Sequence, residues 1–228
     1  MTDKKTILIT GANRGIGLAL VKESLSKDLF VIACSRNDNN NQDLNSLKCD
    51  NLLLFKVDVT DEYSINKMGK AIDKNIDFLV CNAGINNGYG AFNSDDHGKE
   101  KMLDVFNVNV IGPILTVRNL MHRINKGSNI IFISSIMGVQ KHEGSRATIY
   151  RASKAAVNNV MISMSNDFKP NGISVTAFHP GWVKTDMGGP NATLSVKESA
   201  SYLISNFLKL NIKDSGHLFN YDGSKMEF

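Results

Sequence analysis

A chain of 228 residues with 42% apolar content is sized for one α/β domain with a large core. Its net charge of +4 comes from Lys and Arg scattered along the sequence, with no basic run and no interleaved aromatics, so nucleic acid is not an expected partner. No apolar stretch approaches the roughly 20 residues of a membrane span, and residues 1–5 lead into a strand without a signal-peptide core, so no membrane is expected and the expected compartment is cytoplasmic.

The first predicted strand covers residues 7–9 and runs straight into a glycine turn, Gly11-Ala12-Asn13-Arg14-Gly15-Ile16-Gly17, followed by a helix over 16–27. Glycines allow a tight turn and a close backbone approach, and a helix N-terminus offers unpaired N–H groups to a pyrophosphate. The spacing is G-x-x-x-G-x-G, and its place in the first strand–helix unit points to dinucleotide binding. A second strand, 30–34, is followed by Ser35 and Arg36, where an NAD-preferring site would carry a carboxylate. Arg36, with Arg14 from the glycine turn, suits a 2′-phosphate, so the expected cofactor is NADP(H).

Residues 37–45 are polar and Asn-rich, an exposed loop with weak helical character. Strands follow at 52–57, 78–81, 130–134, 174–178 and 217–219, and helices at 62–72, 100–123, 150–168 and 196–210. Gly112-Pro113 predicts a kink in the helix over 100–123. Near-continuous apolar strands alternating with helices predict a single doubly wound parallel sheet over residues 1–228, in order 3-2-1-4-5-6 with a seventh edge strand. Ligands bind beyond the carboxyl ends of such strands, so loops 85–99 and 136–149 should rim a site. Segment 184–195, with its glycines and proline, reads as a substrate lid.

Tyr150 and Lys154 stand four apart on the fourth predicted helix, on one face. An ammonium beside a phenol stabilises the phenolate, so the pair reads as a tuned acid/base. Ser135, at the end of the preceding strand, can bond a substrate oxygen as charge develops on it. Met137 and Trp182, with Ile136 and Met187, either face an apolar carbonyl substrate or pack the loops. His179 reads as a satisfied structural histidine. The three cysteines form no C-x-x-C and read as buried, reduced thiols, and the histidines show no metal spacing, so no metal is expected.

Taken in order, these motifs resemble the short-chain dehydrogenase/reductase family over nearly the whole chain, with likeness to its sniffer-type carbonyl reductases and C-factor-like proteins. The resemblance adds Asp58-Val59 on the adenine side and Asn82-Ala83-Gly84 as the Asn-Ala-Gly motif, where Cys81 occupies a position at which a second Asn is common. It implies that Asn109 anchors a water leading from Lys154, and that Lys154 also bonds the nicotinamide ribose. It implies cofactor contacts at Pro180, Gly181, Val183, Thr185 and Met187. The implied activity is NADPH-dependent reduction of a small aldehyde or ketone, or oxidation of the corresponding alcohol. The C-factor likeness leaves open a catalytically idle, cofactor-binding signalling or scaffold protein. The resemblance also implies a homodimer or homotetramer paired through helices 100–123 and 150–168, with Val157, Val160, Met161 and Met164 extending the apolar surface of the second.

Overall fold

The computed structural model describes residues 4–36, 42–47 and 49–227. The chain runs β1 (Thr6–Thr10), α1 (Gly15–Ser26), β2 (Phe30–Ser35), α2 (Gln42–Asn45), β3 (Leu52–Lys56), α3 (Glu62–Ala71) and β4 (Ile76–Cys81). It continues through α4 (Lys99–Phe106), α5 (Gly112–Leu120), β5 (Ile124–Ile133), α6 (Thr148–Phe168), β6 (Ser174–His179), α7 (Val196–Phe207), β7 (Leu218–Asn220) and β8 (Lys225–Met226). The sheet order is β3-β2-β1-β4-β5-β6-β7-β8. Every pairing is parallel except the last, where β8 turns back antiparallel on β7. The expected doubly wound order is present; the expected seven strands are eight. Residues 225–226 escape a sequence reading because two residues hold no periodicity.

The sheet is buried on both faces because side chains alternate along each strand. In β1, Leu8 enters one core with Ile65 and Met68 of α3, Val117 of α5 and Met161 of α6. Its neighbours Ile7 and Ile9 enter the opposite core with Leu20 of α1 and Leu203 and Phe207 of α7. β5 divides the same way, Ile130 and Phe132 on the first side, Ile131 and Ile133 on the second.

The predicted helix 100–123 is not continuous. α4 passes into a π-helical turn at Asn107–Ile111 before α5 begins. The interruption therefore lies one turn before the expected Gly112-Pro113, and Pro113 sits in the first turn of α5, where its missing N–H costs little. Of the polar segment 37–45, residues 37–41 lie outside the described residues, and the rest forms the one-turn α2.

The apolar residues of α6 serve this chain's own core. Val157 and Met161 are buried in it, and Val160 and Met164 pack against it. They do not by themselves call for a partner subunit. Cys34 and Cys81 are buried as expected, but Cys49 is exposed. No helix of the described residues is long and apolar enough to cross a membrane, and no His/Cys/Asp/Glu group among them could hold a metal.

α6 is held down by the short 3₁₀ turn Ile136–Gly138. A Cβ on Gly138 would stand 2.6 Å from the Lys154 carbonyl carbon and 2.8 Å from the Ala155 nitrogen. Both are backbone atoms and cannot swing aside. Gly138→Ala is expected to cost about 1–3 kcal/mol through overpacking, read as a lowered urea midpoint at unchanged m.

Candidate active site

A cleft of about 1140 Å³ opens at the carboxyl ends of the strands. Every site residue named from the sequence lines it except Ser35 and Asn109. Ser35 is buried at the end of β2, so only Arg36 of that pair faces the cleft.

Close packing of backbone on backbone shapes one end. Gly11 and Gly15 adopt φ of +66° and +53°, the left-handed region that glycine tolerates. A Cβ on Gly11 would meet the Ala83 Cα at 2.9 Å, and one on Gly17 the Gly11 carbonyl oxygen at 2.1 Å. Asn82 secures the turn, its Nδ2 donating to the carbonyls of Thr10 and Gly11 at 2.9 and 3.2 Å. Above it α1 begins at Arg14 with no side-chain cap and no acidic residue in its first turn, leaving its N–H groups and positive dipole end to an anion. This cradle, with the exposed Arg36 unpaired among the described residues, fits a dinucleotide. Arg14 is already engaged: its Nη1 donates to Asp186 Oδ2 at 2.7 Å, both side chains largely exposed.

At the other end Ser135, Tyr150 and Lys154 come together. Ser135 ends the β5 run and caps the 3₁₀ turn by accepting from the Met137 N–H at 3.1 Å. Lys154 Nζ lies 5.6 Å from the Tyr150 ring centroid and donates to the Ile133 carbonyl at 2.9 Å. α6 is pinned here by Ser134 Oγ on Asn158 Oδ1 at 2.6 Å.

The expected depression of the Tyr150 pKa is not present; the shift runs the other way. Burial pushes the phenol up to about 12, the Tyr89 phenol adds to the rise, and a hydrogen bond with Ser135 pulls against it. Burial also lowers Lys154 to about 8. Desolvation is the leading cause for both groups.

Asn109 sits in the π turn, buried, with both amide donors in use. Nδ2 donates to the Ile85 carbonyl at 2.9 Å and Ser153 Oγ at 3.0 Å, while Oδ1 accepts from the Ile85 N–H at 2.8 Å. This side chain fixes the loop after β4 to α6.

The segment after β6 folds back over the cleft. Trp182 Nε1 donates to the Gly188 carbonyl at 2.8 Å, Lys184 N to the Leu194 carbonyl at 2.8 Å, and the Tyr89 hydroxyl to the Met187 carbonyl at 3.0 Å. His179 is not the satisfied histidine expected. Its Nδ1 is buried without a partner among the described residues, and burial, with nearby His142, lowers its pKa to about 4. Sequence reading also passed over Tyr89, His142 and Arg146, which line the cleft from loops without a motif.

The short chain dehydrogenase family model matches residues 5–193. The C-signal protein of Myxococcus xanthus is 34% identical over 154 residues, covering 66% of this chain and 92% of that protein. The carbonyl reductase Sniffer of D. melanogaster superposes with a TM-score of 0.93 at 30% identity, covering 99% of this chain and 100% of that one. An NADPH-bound carbonyl reductase from chicken fatty liver superposes at 0.90 with 31% identity and 99% coverage of both chains.

A lysine lowered by burial makes the charged form costly to fold. The cost is fully present below pH 8. It is relieved as pH rises from about 8 toward 10.5, because only the unfolded chain then keeps the proton. Lys154→Met should therefore stabilise the ligand-free protein by on the order of 2 kcal/mol at pH 7, with the gain shrinking by pH 10. Urea titrations at the two pH values check this.

Proposed function

The chain belongs to the short-chain dehydrogenase family, and from that premise we propose that it is an NADPH-dependent oxidoreductase reducing the carbonyl of a small aldehyde or ketone. The observation that carries this reading is the convergence of Ser135, Tyr150 and Lys154 in the same cleft as the glycine cradle. The carbonyl reductases similar to this chain, one of them NADPH-bound, support it.

The backbone at Gly11–Gly17 and the first turn of α1 would hold the pyrophosphate of NADPH, and Arg36 would take its 2′-phosphate, since Asp186 engages Arg14; the cofactor held there would supply the hydride. Ser135 donates to the substrate oxygen and orients it. Tyr150, protonated at neutral pH, gives its proton to that oxygen as negative charge gathers there. Lys154, 5.6 Å from the ring, stabilises the phenolate left behind, where its charge repays its desolvation. Asn109 acts indirectly, by fixing the Ile85 backbone and Ser153.

The likeness to C-signal favours a second reading, a cofactor-binding signalling protein without turnover. A panel of aldehydes and ketones with NADPH separates the two: cofactor binding with no turnover on any carbonyl supports the second.

Tyr150→Phe should bind NADPH nearly as wild type and lose about 10²–10⁴-fold in kcat. Near-wild-type turnover would remove Tyr150 as the acid. Arg36→Ala should weaken NADPH binding about ten- to 150-fold, the worth of a charge-assisted hydrogen bond, while NADH binding changes little. Dissociation constants for both cofactors read this, and a wild type that prefers NADH overturns the arginine assignment.

A further inference from the structure

The substrate end of the cleft holds a guanidinium and an imidazole nitrogen, both without a partner among the described residues, that the reduction of a neutral carbonyl does not use. Arg146 lies in the loop between β5 and α6, four residues before Tyr150, and lines the cleft. It makes no hydrogen bond or ion pair among the described residues. His142 and His179 line the same end, close enough that His142 disfavours charge on its neighbour, and the Nδ1 of His179 is buried without a partner among the described residues.

No carboxylate answers these groups. The cleft is lined by two, and both are committed elsewhere. Asp58 accepts from the Thr60 N–H and hydroxyl at 2.9 and 2.7 Å, beside β3, and Asp186 accepts from Arg14 at 2.7 Å.

The cofactor does not account for the arrangement either. The glycine turn and Arg36 stand over β1 and β2, whereas Arg146, His142 and His179 rise from the ends of β5 and β6, across β4 from the phosphate cradle.

The loop also presents Arg146 by design of its backbone. Ala147 holds φ of +55°, a conformation that non-glycine residues rarely adopt, and it is buried. Its carbonyl accepts from the Arg151 N–H at 2.9 Å, and the Arg151 side chain donates back to the His142 carbonyl. These two bonds tie the loop to α6 on either side of Arg146, at His142 and at the strained Ala147.

We propose that Arg146, with His142 and His179, forms a carboxylate subsite, so that the substrate is an apolar aldehyde or ketone bearing a carboxylate beyond its carbonyl. Met137 and Trp182 supply the apolar wall between the two polar ends of such a molecule. Arg146 is the principal contact, because its planar fork matches a carboxylate bidentately. The proposal rests on the carbonyl reductase reading, and the two are separable.

The first measurement is calorimetric binding of benzoate and of benzamide to the full-length protein saturated with NADP⁺. Benzoate is expected to bind about ten- to 150-fold more tightly, Arg146→Met to erase the difference, and Arg146→Lys to keep part of it. The second is kcat/KM for 4-carboxybenzaldehyde against benzaldehyde with NADPH, where the ratio should favour the acid in the wild type and fall toward one in Arg146→Met. Equal affinity for benzoate and benzamide, no benzoate binding, or a preference that survives Arg146→Met overturns the subsite. A benzoate preference that depends on Arg146, in a protein that reduces neither aldehyde, upholds the subsite and overturns the reductase reading instead.

Discussion

The weld between the carboxyl ends of β1 and β4 governs the rest of the molecule. The Thr10 hydroxyl accepts from the N–H groups of Asn82 and Ala83, both at 3.1 Å, while the Asn82 amide reaches back to the Thr10 and Gly11 carbonyls. Backbone is brought so near backbone that Gly11 and Gly17 admit no side chain. These strands are neighbours only because the chain returns from β3 across the sheet to place β4 on the other side of β1. That reversal splits the connecting loops apart and creates the crevice. The weld keeps the crevice narrow enough for main-chain N–H groups to act as anion ligands.

A second constraint is the desolvation of Lys154. A lysine is rarely buried without a compensating carboxylate, and here the ammonium donates to the Ile133 backbone carbonyl. The fold accepts this cost, and burial likewise raises the pKa of Tyr150. Stability and chemistry are opposed at one position, as at sites where a charge is held ready for a partner that arrives later. Rigid support on every side makes the arrangement tolerable: the 3₁₀ turn through Gly138, the Ser134–Asn158 bond, and the Asn109 amide on Ile85 and Ser153.

Much of the fold was legible because its signals are local. Apolar runs such as 7–9 and 130–133 are buried on both faces and read directly as strands of a covered parallel sheet. The glycine turn and the Tyr150–Lys154 spacing read equally well, since strand-to-helix turns and helical periodicity depend on near neighbours alone. Asn107–Ile111 did not read, because a π turn carries no compositional mark and Pro113 drew the interruption one turn too late. The apolar face of α6 was legible as apolar, but not what covers it.

From the sequence by itself came the family likeness, the parallel doubly wound sheet, the dinucleotide turn and the identity of the Ser135, Tyr150 and Lys154 cluster, all carried by residues close along the chain or in ordered motifs. The tertiary structure alone decided matters that depend on distance in space and on exclusion of water. It paired Arg14 with Asp186 across 172 positions, bonded the Asn109 amide to Ile85 and Ser153, and left His179 Nδ1 buried without a partner among the described residues. It also raised Tyr150 and lowered Lys154, since a pKa follows the dielectric around a group and not its spacing in sequence. The polar cluster at the substrate end belongs to this second class, because Arg146, His142 and His179 become one surface only when β5 and β6 stand side by side.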